Sequence, residues 1–276
     1  MIEGASNVDM DEKYRLQILS RAILVLFAFS ARQPERTLDA LAHGLDINKT
    51  SLLRILRTLE MERFVLRDGE HYRLGPRVLD LGSVFLSTLS VHDAALPEMA
   101  HLAASCGQTV SLAILDEFEV VYIGIEHAQR EVGIQGEVGG RHPAHATGLG
   151  KVMLADLEPE RLDALLIGRD LRRLTHRTIV DPDVLRERLI AVRRDGYALD
   201  DEERAIGIRC LAAPIRNHDG RVTAALSLAG PIFHMLDETL PFVRSSMLEA
   251  VERISSKLGY NPGLVTTRPS DEAVPA

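Results

Sequence analysis

Three short stretches hold residue types that do chemistry in other proteins. ATGLGK, residues 146–151, places two glycines before a lysine, as a phosphate-cradling loop does. A Walker A loop would need its first glycine where His145 stands, and a Ser or Thr where Val152 follows Lys151, so that reading fails. His142 and His145 lie three apart, as metal ligands can, but Pro143 sits between them and no Cys or carboxylate is close in sequence, so no metal is expected. Asp201, Glu202 and Glu203 could supply acid–base chemistry, yet such a run is read first as solvated loop or helix cap. There is no HExxH and no GxSxG. The two cysteines, Cys106 and Cys210, are far apart and outside any metal spacing, which excludes a disulfide framework and fits a reducing cytosol. Neither enzyme activity nor a cofactor is expected.

The chemistry that stands out is recognition of a polyanion. The chain of 276 residues has a formal net charge of -8, yet INKTSLLRILRTLE, residues 47–60, sets Lys49, Arg54 and Arg57 between apolar residues at helical spacing. Between residues 13 and 77, twelve Lys and Arg meet seven Asp and Glu, which leaves this segment at +5 and the remainder at -13. The local charge, not the total, decides what a face attracts.

The elements that must position those charges follow from the spacing. Residues 15–30 predict a helix through Leu16, Leu19, Ile23, Leu26 and Phe27. Pro34 breaks the chain, Thr37 caps a short helix from Leu38 to His43, and Gly44 supplies the turn. Asn48 or Thr50 caps the next helix, which buries Leu52, Ile55, Leu56 and Leu59. Two helices about a tight turn are a helix-turn-helix. Phe64–Arg67 and His71–Leu74 then alternate around Asp68-Gly69-Glu70, a hairpin signal, and complete a winged helix. In that frame Asn48, Lys49, Thr50, Ser51 and Arg54 face the major groove, Arg57 grips the backbone, and Arg67 and Arg73 on the hairpin reach phosphate or the minor groove. Residues 75–92 predict an apolar linker helix through Val78, Leu79, Leu81, Phe85, Leu86 and Leu89, too apolar for a solvated connector and expected to pair with a second copy.

The length suits two domains, and 46% hydrophobic residues with 4% aromatics and no Trp imply a mainly aliphatic core. The run AILVLFAF at 22–29 is too short to span a bilayer and lacks a cleavage site, so a soluble, cytoplasmic protein without a membrane partner is expected. From residue 93 the pattern turns to mixed helix and strand. Helices are expected at 96–106, 146–155, 181–195 and 237–258, and strands at 109–115, 120–126, 131–135, 196–200, 208–215 and 222–230, with a polar tail at 261–276.

Several long motifs then stand in order: YRLGPRVLDLG (72–82), GGRHPAHATGLGKVMLA (139–155), LTHRTI (174–179), GYALDDEE (196–203), GIRCLAAPI (207–215) and ALSLAGP (225–231). In these the chain resembles the IclR family of transcriptional regulators over roughly residues 15–260. The resemblance implies an α+β architecture. A winged helix-turn-helix spans 13–75 with Thr37 among its DNA-facing residues, a linker helix spans 76–92, and a GAF-like effector domain with an antiparallel sheet spans 93–260. It implies a regulator of a catabolic operon that binds double-stranded operator DNA as a homodimer or tetramer and senses a small organic acid. The family's pocket maps onto Gly148, Leu149, Asp200, Cys210 and Ser227, while a second Ser common in the family is Ala229 here. The competing expectation is a metabolite sensor or enzyme whose helix-turn-helix makes protein contacts only.

Overall fold

The computed structural model describes residues 16–30, 33–87, 90–127 and 136–262. The strand expected at 131–135 and the tail beyond 262 lie outside the described residues. The chain divides into two compact units, Met1–Thr88 and Leu89–Ala276.

The first unit runs α1 (Gln17–Phe27), β1 (Glu35–Thr37), α2 (Leu38–Leu45), α3 (Lys49–Met61), β2 (Val65–Asp68), β3 (His71–Leu74) and α4 (Arg77–Ser87). Its helix starts are set by side chains. Thr37 Oγ1 accepts from the Ala40 N–H at 3.3 Å, and Asn48 Oδ1 accepts from the Ser51 N–H at 2.8 Å. Each cap satisfies a backbone donor that the first helical turn leaves free. The turn between α2 and α3 is not at Gly44, which lies inside α2; Asp46 takes the left-handed conformation, φ 50°. A short polar side chain tolerates that region, so a glycine is not required there. Leu52, Ile55 and Leu56 of α3 are buried with Val25, Phe29, Leu41, Ile47, Val65 and Tyr72. β2 and β3 pair antiparallel around Gly69, and β1 adds a third strand against β3. At three residues β1 carries too little alternation to register in the sequence.

The apolar stripe expected on α1 is mostly on the wrong side. The core receives Ala22, Val25, Leu26 and Phe29, while Leu16, Leu19, Ile23 and Phe27 are exposed, Phe27 by 82%. α1 is apolar nearly all round, so periodicity alone cannot choose its buried face. Of the expected 75–92 helix, residues 77–87 and 90–92 are helical and 88–89 lie outside the described residues; Leu79, Leu81 and Val84 of α4 are exposed. The side chains of Phe85, Leu86 and Leu89 lie outside the described residues.

The second unit holds α5 (Ser90–Cys106), β4 (Thr109–Asp116), β5 (Glu119–Glu126), β6 (Arg141–Pro143), a 3₁₀ turn (Ala144–Ala146), α6 (Gly148–Leu154), α7 (Pro159–Leu166), α8 (Pro182–Asp195), β7 (Ala198–Asp201), β8 (Ile208–Arg216), β9 (Val222–Pro231) and α9 (Leu240–Lys257). α5 starts upstream of the expected Leu96, because Pro97 lies inside the helix instead of opening it. The expected 146–155 helix is broken by the extended Thr147. α7 and β6 were not anticipated. α8 has the predicted ends, with Asp181 capping and Gly196 at φ 75°.

The six strands form one antiparallel sheet in the order β6-β5-β4-β9-β8-β7. Alternation divides its two faces. Leu112 and Gly124 turn toward α5, where a Cβ on Gly124 would lie 3.5 Å from Met99 Cε. α5 and α9 are tied by Arg253 and Lys257, which donate to Glu98 at 2.9 and 3.1 Å. On the other face the register aligns two polar rungs. Asp200, Cys210, Ala229 and Thr109 form one, and Ala198, Ala212, Ser227 and Ser111 the next.

The buried stripe of α3 generates a direct test. Leu52→Ala should destabilise the protein by about 2–5 kcal/mol, whereas the exposed Arg54→Ala should stay within about 0.5 kcal/mol of wild type. Urea denaturation followed by circular dichroism measures both.

Candidate functional site

In the first unit, α3 presents Asn48, Lys49 and Thr50 at its exposed start, with Ser51 half-buried. Lys49 is paired to Asp39 at 2.8 Å across a solvent-exposed gap. Such an exposed pair contributes little and exchanges readily for phosphate. Arg54 and Arg57 are exposed one turn apart, and among the described residues neither guanidinium has an ion-pair partner. A groove of Thr37, Leu38, Asp39, Leu53, Arg57, Arg67, Glu70 and Tyr72 brings the α2 cap, the middle of α3 and the wing together. Arg67 is held there by its donation to the Gly69 carbonyl at 2.8 Å and by the Tyr72 ring, 5.6 Å from its guanidinium carbon. Arg73 is set apart. It pairs opposite Leu66 and Glu35, on the sheet face away from Tyr72 and Arg67. Its charge therefore does not join that groove.

The second unit encloses a pocket on the polar-rung face of its sheet. The walls include Thr109, Ser111, Tyr122, Leu149, Asp200, Arg204, Cys210 and Ser227. The cavity measures about 20 Å³, room for about one water. Four of the five expected residues thus meet around one cavity. Gly148, the fifth, does not line it; a Cβ there would lie 3.1 Å from Ala212 Cβ, so its missing side chain lets α6 lie close on β8. Gly150 has a similar need, since a Cβ would fall 2.1 Å from the Ala144 carbonyl oxygen. Cys210 and Ser227 are hydrogen-bonded neighbours on adjacent strands, and burial pushes the thiol up to about 12. Cys210 is therefore an uncharged wall.

Asp200 is buried, and its Oδ1 accepts from the Glu203 and Arg204 N–H groups at 2.8 and 3.3 Å. Burial raises its carboxyl to about 6, partly opposed by the nearby Lys151. The acidic run after it is not solvated loop. Glu203 is buried and ion-paired with Lys151, whose Nζ also donates to the Leu199 carbonyl at 2.8 Å. Asp201 pairs with Arg177 and Arg209, and Glu202 Oε2 accepts from the Gly207 N–H at 2.7 Å. Thr175 and Thr178 of LTHRTI donate to the carbonyls of Glu202 and Glu203 at 2.7 Å each. These bonds fix the loop that carries Arg204 over the pocket.

The two histidines sit in separate settings. His145 donates from Nε2 to the Arg172 carbonyl at 3.1 Å, and burial lowers its affinity for a second proton. His142 on β6 is pushed down to about 4 by burial and by Arg204, so at neutral pH its Nε2 accepts from the Arg204 guanidinium at 2.9 Å. Sequence reasoning missed Arg204, Tyr122, Thr109 and Ser111. Arg204 directly follows the acidic run, where nothing in the local pattern marks it as facing a cavity. Thr109 and Ser111 gave a usable signal, because both break an apolar strand on the same face.

The Asp200 carboxyl has a folded-state pKa above its ordinary 3.8, so the folded protein holds the proton more tightly than the unfolded chain does. Its contribution to stability is complete below about pH 4, falls as pH rises toward about 6, and stays low above that. Asp200→Asn keeps the acceptor without the charge. It should raise stability at pH 8 by about 1–3 kcal/mol, with the difference from wild type vanishing below about pH 4. Thermal melts across pH check both limits.

Comparison with known proteins adds the lineage. Residues 18–69 match the IclR helix-turn-helix domain, and residues 84–256 match the bacterial transcriptional regulator IclR C-terminal domain. The HTH-type transcriptional regulator XynR of Escherichia coli (strain K12) is 32% identical over 247 residues, covering 89% of this chain and 98% of that protein. Among solved structures, a transcriptional regulator from Rhodococcus sp. RHA1 superposes with a TM-score of 0.80 at 34% identity, covering 88% of this chain and 98% of that one. An IclR homolog from Microbacterium hydrocarbonoxydans, complexed with 4-hydroxybenzoate, superposes with a TM-score of 0.78 at 26% identity, covering 88% and 99%. These relatives are regulators, not enzymes, and the chain itself belongs to the IclR family of DNA-binding transcriptional regulators.

Proposed function

We propose that this protein is a ligand-responsive, cytoplasmic regulator of a catabolic operon, which binds operator DNA as a homodimer or tetramer and senses a small organic acid. Residues 13–75 form its DNA-binding domain, 76–92 its linker helix and 93–260 its effector domain. The observation that carries the sensing part is the pair of polar rungs that face a cavity in the second unit. Hydroxyls and a carboxyl that face a cavity can turn hydrogen bonds to a small polar ligand. The 4-hydroxybenzoate held by the Microbacterium relative supports the same ligand class. The cavity is small, so an acid enters by displacing lining side chains.

For DNA, the start of α3 reads the major groove, with Arg54 toward the bases and Arg57 toward the backbone, and Arg67 lies in the groove beside it. Assembly is favoured by the apolar residues left exposed in the first unit, Leu16, Leu19, Ile23 and Phe27 on α1 and Leu79, Leu81 and Val84 on α4. So much exposed aliphatic surface fits a partner of the same kind. A protein-contact role for the winged helix is disfavoured by the α3 arginines, which have no ion-pair partner among the described residues.

Three measurements test this reading. Arg54→Ala should weaken binding to the gene's own upstream DNA by about 1–3 kcal/mol in a gel shift, and unchanged affinity in the folded variant would remove Arg54 from the site. Light scattering at micromolar concentration should show a dimer or larger, and a monomer alone would overturn the assembly. A thermal-shift screen of small carboxylic acids should find at least one that stabilises the protein.

A further inference from the structure

We propose that Arg204 is the residue that selects the charge of the effector, holding a carboxylate at the His142 side of the pocket; this rests on the reading of the cavity as the effector site. β6 and β7 are opposite edges of the six-stranded sheet, yet Arg204, just beyond β7, donates to His142 on β6 at 2.9 Å. The sheet therefore curls until a loop from one edge spans the pocket to the other. Among the described lining residues Arg204 is the only cation. A guanidinium has five N–H donors in a fork that matches a carboxylate. Among the described residues this one has a single side-chain acceptor, a neutral imidazole, and no ion pair. It is half-buried and lines the pocket, which keeps it out of bulk solvent.

No other positive charge is free to meet a carboxylate here. The start of α6 offers only neutral amides, of which the Gly150 N–H is already accepted by Thr147 Oγ1 at 3.0 Å, and Lys151 is sealed under Glu203. Asp200 holds the backbone of Arg204 in place but makes no ion pair with its side chain. Giving up a bond to neutral imidazole costs less than breaking an ion pair, so Arg204 can turn to an incoming carboxylate. The rest of such a ligand then lies along Thr109, Cys210 and Ser227. The effector class is a small monocarboxylate bearing a hydroxyl or carbonyl for those groups.

The test uses the full-length protein, with calorimetry on benzoate, 4-hydroxybenzoate, pyruvate and succinate, each beside its neutral amide. Arg204→Gln, Arg204→Lys and the cavity-filling Cys210→Leu are compared with wild type. The expected result is binding of at least one acid but not its amide, a loss of about 10–100-fold in Arg204→Gln, a smaller loss in Arg204→Lys, and none left in Cys210→Leu. If Cys210→Leu abolishes binding while Arg204→Gln binds as wild type, the pocket stands and the assignment of Arg204 falls. Acid binding unchanged in both variants removes the pocket as well. Binding of amides without acids, or of no compound in the panel, overturns the role of Arg204.

Discussion

The second unit is organised around Lys151, an ammonium with no exposure to solvent. Left unpaired, a buried charge costs several kcal/mol, so its acceptors are obligatory. They are the Glu203 carboxylate and the Leu199 carbonyl, on either side of Asp200 in sequence. The loop after β7 must therefore lie over α6. Once it does, Asp200 caps the turn at Glu203 and Arg204, and Thr175 and Thr178 clamp its carbonyls from the other side. Three motifs far apart in sequence, GLGK, LTHRTI and DDEER, thus join in one polar network. Its effect is to bring a guanidinium across a pocket whose floor is two rungs of small side chains.

The first unit solves a different problem. Its helices are short, and short helices depend on caps and on packing more than on propensity. Thr37 and Asn48 supply the caps, while Leu52, Ile55 and Leu56 supply the buried stripe. The remaining positions of α3 are free to be basic. The acidic total of the chain does not oppose this, because charges beyond about 10 Å are screened at ordinary ionic strength. Arg36, by contrast, is spent on structure, donating to the Ala28 carbonyl and to Gln33. A basic residue in such a segment is a DNA candidate when it stays exposed and any partner it has exchanges readily for phosphate.

Much of the architecture was legible where the determinants are local. The N-caps, the period of α3, the Asp-Gly hairpin and the ends of α8 are each fixed by residues a few positions apart. β1 escaped notice because its only support is pairing with β3. The wrong face of α1 was expected because both of its faces are apolar, and only the packing of Ala22, Val25 and Leu26 distinguishes them. The break at Thr147 was hidden because its cap bond looks, in sequence, like any helical threonine.

The sequence by itself determined the family, the two kinds of unit and which residue types could meet DNA or a ligand, since these are carried by motifs and by short-range periodicity. Tertiary structure decided which of those residues share a site. It joined Leu149, Asp200, Cys210 and Ser227, withheld Gly148 for packing, and turned Arg73 away from Arg67. It also added Arg204, because the curl of the sheet that brings opposite edges together is a sum over six strands and is written in no single segment.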